Sequence, residues 1–187
     1  MSFDVYGTLI DWEPAMLASV RELITAHLPA SHPYNTDPPT AALMRLDALA
    51  RELEAPTQQP TLPYNEVLAR ALTLLGVETG VGVPDVVAAD FGRTPSTWPP
   101  FADTVPALQK LRRHYGALIA VSNVDNANIA VTVAERLAPA RFDAVYTAED
   151  IGSYKPSHRN FEYLFAHAKK DLGVDWEKGD LLHVARR

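Results

Sequence analysis

Gly116-Ala117-Leu118-Ile119-Ala120-Val121-Ser122-Asn123 is the stretch on which the fold turns. Five apolar residues in a row, entered through a glycine and left through two small polar residues, suit a strand buried on both faces of a parallel sheet. Working outward, Asp103 and Pro106 open a helix that runs to Arg113, and a helix from about Asn126 to Leu137 follows the strand. A strand at Ala144 to Thr147, a helix from Asn160 to Leu172 and a strand at Leu181 to Ala185 continue the alternation. Alternating βα units predict an α/β fold with a doubly wound, Rossmann-like parallel sheet.

Upstream the texture differs. Met1 to Gly7 offers one very short strand, Asp11 reads as a helix N-cap and Pro14 lies in the first turn. Leu17, Val20, Ile24 and Leu28 recur at helical spacing, and the Pro-rich stretch from Leu28 to Thr40 reads as a loop. Leu43, Leu46, Leu49 and Leu53 mark a second helix; a third starts at an Asn65 cap and ends at Gly76. The expected organisation is a sheet domain of residues 1–13 and 101–187, with a helical cap of residues 14–100 inserted after the first strand.

Composition narrows the function. With 187 residues, 47% of them apolar, the chain can bury one substantial core. Its 17 basic and 23 acidic residues give a net charge of −6 without a basic run, which argues against nucleic acid and acidic lipid as partners. Cysteine is absent, which removes disulfides, thiolate metal sites and cysteine nucleophiles together. No apolar run approaches the roughly 20 residues of a membrane span, and the N-terminus lacks a leader pattern. A cytoplasmic location, a small-molecule substrate and no membrane partner are therefore expected, with a homodimer left open.

Three motifs fall where an open α/β sheet binds its ligands, at the carboxyl ends of strands. Asp4 follows the first strand in Phe3-Asp4-Val5-Tyr6-Gly7-Thr8-Leu9, where Gly7 lets the chain turn around the carboxylate. Ser122-Asn123 follows the buried strand, and Lys155-Pro156 follows the strand at Ala144 to Thr147 after a short loop with Gly152. Each has a plainer reading alone: Asp4 as a turn cap, Ser122 and Asn123 as helix caps, Lys155 as a solvated loop lysine. Their order and their strand-end placement favour a shared site.

Asp-x-Tyr-Gly-Thr-Leu, then Ser-Asn, then Lys-Pro resembles the first three motifs of the haloacid dehalogenase-like hydrolases, and Asp4-Val5-Tyr6-Gly7-Thr8-Leu9-Ile10-Asp11 is most similar to the L-2-haloacid dehalogenase branch. The resemblance implies that Asp4 attacks the substrate as a carboxylate nucleophile and that water hydrolyses the resulting ester or acyl phosphate. It implies that Thr8, Ser122 and Asn123 position that carboxylate or the substrate, and that Lys155 neutralises charge gathered around Asp4. Tyr6 separates the branches, because phosphatases of this group carry there a second Asp that protonates the leaving alkoxide. A phenol with a pKa of about 10 replaces that acid poorly, whereas a halide leaves without a proton.

The dehalogenase branch also resembles a template with a cap arginine, often beside Trp, and no Trp-Arg pair occurs here. Arg21, Arg45, Arg51, Arg70 and Arg93 are the candidates, most of them expected to be surface residues. Phe161 or Tyr163 stands where an aromatic follows the Lys-Pro motif, and core packing is the expectation for both. Asp180 to Ala185 resembles the strand before a fourth motif, followed only by Arg186 and Arg187, so the expectation is a chain lacking that motif. The leading expectation is hydrolytic dehalogenation of 2-haloalkanoic acids without a cofactor. The alternatives are a small-molecule phosphatase using Mg2+ and a non-catalytic protein that keeps the fold.

Overall fold

The structure is a computed structural model that describes residues 1–55 and 61–186. In chain order its elements are β1 (Ser2–Phe3), α1 (Glu13–Leu23), α2 (Thr40–Glu54), α3 (Tyr64–Thr79), α4 (Asp85–Gly92), α5 (Thr104–Leu111), β2 (Ile119–Ser122), α6 (Asn126–Val131), β3 (Ala144–Thr147), α7 (Ala148–Ile151), α8 (His158–Leu172) and β4 (His183–Val184). They fall into two compact units, one of Met1–Asp11 with Pro95–Arg187 and one of Trp12–Thr94.

The first unit is a parallel sheet of order β3-β2-β1-β4, flanked by helices, so the α/β expectation holds. The apolar run folds as expected, with β2 buried at all four residues. β2 pairs with β1 on one side and, from Ile119↔Ala144 to Ser122↔Thr147, with β3 on the other. From β1 the chain winds outward to β2 and β3 and then returns to lay β4 on the far side of β1. That reversal is the switch point at which doubly wound sheets open a crevice, and Asp4 sits there. Ile119, Val121, Tyr146, Ile151, Leu164 and Ala168 form a core between the sheet and α8, against which Phe161 and Tyr163 also pack. Each fully buried aliphatic side chain there contributes roughly 1.5–3 kcal/mol relative to exposure.

β1 has only two ladder residues, yet it is central. Ser2 N donates to Leu182 O and Asp4 N to Val184 O, while Ile119 N donates back to Met1 O. The Met1 ammonium donates to Ala117 O at 2.7 Å.

The second unit is helical. α2 buries Ala42, Leu43, Leu46, Leu49 and Ala50 along one stripe, and α3 buries Val67, Leu68, Ala71, Leu72 and Leu75. Three details depart from expectation. Trp12, not Asp11, precedes α1, and the Asp11 N–H is spent on Pro99 O in a strap that also joins Phe101 N to Leu9 O. Asn65 lies inside the first turn of α3, which Pro63 precedes, and its side chain accepts from Glu66 N. Gly76 does not end α3; the helix runs to Thr79, and Gly80, at φ +72°, ends it. Gly76 serves close packing instead, since a Cβ there would lie 2.7 Å from Val81 O and from a Val83 methyl. A fourth departure lies in the sheet unit, where the expected helix to Leu137 is α-helical only to Val131 and continues as a π-turn over Thr132–Arg136.

Candidate active site

The site grows from the turn after β1. Val5 O accepts from Thr8, Leu9 and Ile10 N, and Gly7, at φ +90°, returns its own N–H to Ile10 O. A side chain at that φ would strain the turn, so glycine there lets the chain fold back beneath Asp4. Thr8 Oγ1 donates to Asp4 Oδ2 at 2.9 Å, and Arg186 N donates to the same hydroxyl at 3.0 Å.

Lys155 arrives from the segment before α8. Its Nζ donates to Asp4 Oδ1 at 2.5 Å and to Val121 O at 2.8 Å. The Asp4 and Lys155 side chains are 23% and 15% exposed, so the pair is shielded more than a surface pair and still reachable from solvent. Asn123 brackets the Lys155 backbone: Oδ1 accepts from Lys155 N at 2.8 Å and Nδ2 donates to Lys155 O at 3.2 Å. Both ends of the amide are therefore engaged by one residue 32 positions away. Ser122 ends β2 beside this group, but its buried hydroxyl accepts from Val124 N, a local turn bond.

Tyr6 points elsewhere. Its hydroxyl meets Thr132 Oγ1 at 2.7 Å, at the first residue of the π-turn, and its ring lies edge-on to Trp98. Burial pushes the Tyr6 phenol well above its usual range; the Thr132 hydrogen bond opposes this and the Asp125 carboxylate adds to it. The phenol thus stays protonated and is a weaker proton donor than an ordinary tyrosine.

Asp4, Thr8 and Lys155 are joined directly and Asn123 through the Lys155 backbone, whereas the Tyr6 and Ser122 hydroxyls bond to Thr132 and Val124, outside that chain of bonds. His183 was missed in the sequence. It stands beside Ser2 in the β1–β4 register, with Nδ1 2.9 Å from Ser2 Oγ. Burial and the Lys155 ammonium hold its imidazole below the usual histidine range, against the pull of Asp4. No local signal marks it, because the register that brings it to Ser2 spans 181 positions.

The five candidate arginines of the helical unit are each engaged within that unit. Arg21 pairs with Asp37, Arg45 with Glu52 and Glu78, Arg51 with Asp47, Arg70 with Glu66 and Arg93 with Asp90. For magnesium, the donor set is poor: no group of three or more His, Asp or Glu placed to hold a metal ion occurs among the described residues. Arg187 lies outside the described residues.

Among solved structures, the chain is similar to the L-2-haloacid dehalogenase of Xanthobacter autotrophicus with chloropropionic acid covalently bound. The identity is 20% and the TM-score 0.71, covering 92% of this chain and 64% of that one. The chain thus spans just under two thirds of that enzyme's length. A second structure, of a dehalogenase, matches at 19% identity and TM-score 0.76 over 100% of this chain and 75% of that one. A HAD-hydrolase of Bacillus subtilis, YfnB, bound to magnesium, matches at 20% identity and TM-score 0.68 over 88% and 71%. At these identities the likeness is one of fold. No curated protein matches the chain significantly. The sequence profile described as haloacid dehalogenase-like hydrolase matches residues 1–179, and the chain belongs to the haloacid dehalogenase-like hydrolase family.

Proposed function

We propose that this hydrolase cleaves a carbon–halogen bond of a small 2-haloalkanoic acid with Asp4 as nucleophile, the helical insert acting as the cap that selects the substrate. The observation that carries the reading is the pairing of Asp4 with Lys155 and Thr8, beside a Tyr6 that is half-buried and bonded away to Thr132.

An Asp4 oxygen attacks C2 of the substrate, the C–O bond forms as the carbon–halogen bond breaks, and halide departs with the bonding pair. A carboxylate has about four lone-pair sites, so an oxygen held by Lys155 or Thr8 keeps one for attack. Water then adds to the ester carbonyl, releases the 2-hydroxy acid and restores Asp4, its proton passing to solvent. No step needs an acid at Tyr6, which suits a phenol kept protonated by burial. Phosphate ester cleavage would need that acid and further oxygen ligands for magnesium, and no group of three or more His, Asp or Glu placed to hold a metal ion occurs among the described residues.

Chloride release from 2-chloropropionate tests the proposal. Asp4→Asn abolishes release, and mass spectrometry of a trapped wild-type reaction finds the adduct on the peptide carrying Asp4. Full activity in Asp4→Asn, or an adduct on another residue, overturns the assignment.

A further inference from the structure

β4 brings an ionisable side chain to the same end of the sheet without any motif announcing it. His183 lies opposite Ser2 in the ladder, and Nδ1 meets the wholly buried Ser2 hydroxyl at 2.9 Å. Asp4 follows Ser2 by two residues while the ladder continues through Asp4 N to Val184 O, so the pleat returns its side chain to the face that carries Ser2 and His183. From α8, Phe161 closes the other side, its ring perpendicular to the imidazole with centroids 5.6 Å apart. The charged groups acting on the ring are Lys155, from the segment before α8, and Asp4, from the end of β1; Ser2 and Phe161 face it without charge. His183 therefore shares a sheet face with Asp4 and feels the charge of both members of the ion pair, its own contacts being to Ser2 and Phe161.

We propose that His183 is a positioning residue of the Asp4–Lys155 site: neutral, it leaves the ammonium committed to Asp4, and protonated, it sets a second cation against Lys155 and turns the site off. This rests on the reading of Asp4 as the nucleophile. A lysine stem is flexible, and a like charge near its ammonium weakens its hold on Asp4 relative to its second acceptor, Val121 O. The same second cation draws on the Asp4 carboxylate and lowers its readiness to attack. Partial burial and Lys155 both disfavour the imidazolium, so the neutral, active form prevails at neutral pH and the protonated form appears in acid.

The first arm of the test needs no turnover. NMR titration of the His183 imidazole is compared between wild type, Lys155→Met and Asp4→Asn. Lys155→Met raises the His183 midpoint and Asp4→Asn lowers it, each by at least about 0.3 unit, a twofold change in proton affinity. Midpoints that stay put in both variants overturn the proposal, whatever the enzyme does. The second arm compares the shape of the pH–rate profile for chloride release in wild type and His183→Asn. The acid limb shifts by about a unit or disappears in the variant, independent of the plateau rate; an unmoved limb overturns the switch even if the titrations are coupled. Absence of chloride release from the wild type sinks the dehalogenase reading instead, and the titrations then decide the coupling alone.

Discussion

Asn123→Ala separates positioning of Lys155 from direct contact with substrate. The side chain makes two hydrogen bonds, of 2.8 and 3.2 Å, to the N–H and C=O of Lys155. Each intramolecular hydrogen bond is worth about 1 kcal/mol net, so the truncation costs about 2 kcal/mol, or nearer 1 if water replaces one partner in this partly exposed loop. Since about 1.4 kcal/mol is a factor of ten in population, the Lys155 segment is displaced about five- to thirtyfold more often. Chloride release then falls by up to that factor if Lys155 must stand on Asp4 during attack. Urea unfolding measures the first quantity and initial rates the second. The decisive comparison is a cycle with Lys155→Met. In that background Asn123→Ala still costs its increment of stability but removes no further turnover, because its effect runs through the missing ammonium. Turnover losses that add, or a loss of turnover with an unchanged urea midpoint, would refute the argument and place the Asn123 amide on the substrate.

Other perturbations read other parts of the structure. Gly92→Ala forces a Cβ to 2.1 Å from Asn65 O, where α4 meets α3, and should lose about 1–3 kcal/mol despite alanine's better helix propensity; Gly82→Ala, with open space around it, should be neutral in the same thermal melts. Tyr6→Phe should lose about 1 kcal/mol through the Thr132 bond while leaving the shape of the pH–rate profile unchanged, since the phenol never ionises in the assay range. For His183 the native imidazole binds its proton less readily than the unfolded one, so the unfolded state carries more protons just below pH of about 6.5. Stability therefore declines as pH falls from there to the lower native value, and His183→Asn should flatten that segment of a urea-midpoint series.

Much of this was legible because the relevant signals are local. The run from Ala117 to Val121 declares a buried strand by itself, and the alternation after it leaves few options other than a parallel sheet. The strand-end placement of Asp4 and Lys155 follows from the same reading. What escaped depends on partners distant in sequence. Asp11 has the composition of a cap, but its backbone is drawn into the strap with Pro99, so the helix opens at Glu13. Gly76 looks like a stop, yet the returning chain at Val81 and Val83 is what requires its missing side chain. Ser122 and Asn123 share one dipeptide, and nothing in it shows that one turns to Val124 and the other reaches Lys155. His183 reads as one more residue of a strand until β4 is laid against β1.

Such a short central strand also affects the order in which the domain can be completed. β1 offers two residues to each neighbour, too few to hold a place alone, and its contacts close loops of 116 residues to Ala117 and 181 residues to His183. Loop closure of that size is costly before the contacts reward it, so long-range pairing of this kind tends to come late in folding. Asp4 precedes both β2 and β4 in the chain, yet it gains its surroundings only when both are in register. A partly folded molecule can hold its helices and much of its circular dichroism while the Asp4–Lys155–Thr8 group is not yet assembled. Catalytic competence in this architecture therefore reports closure of the topology, and damage to the β1–β4 pairing should silence the enzyme before it melts the helices.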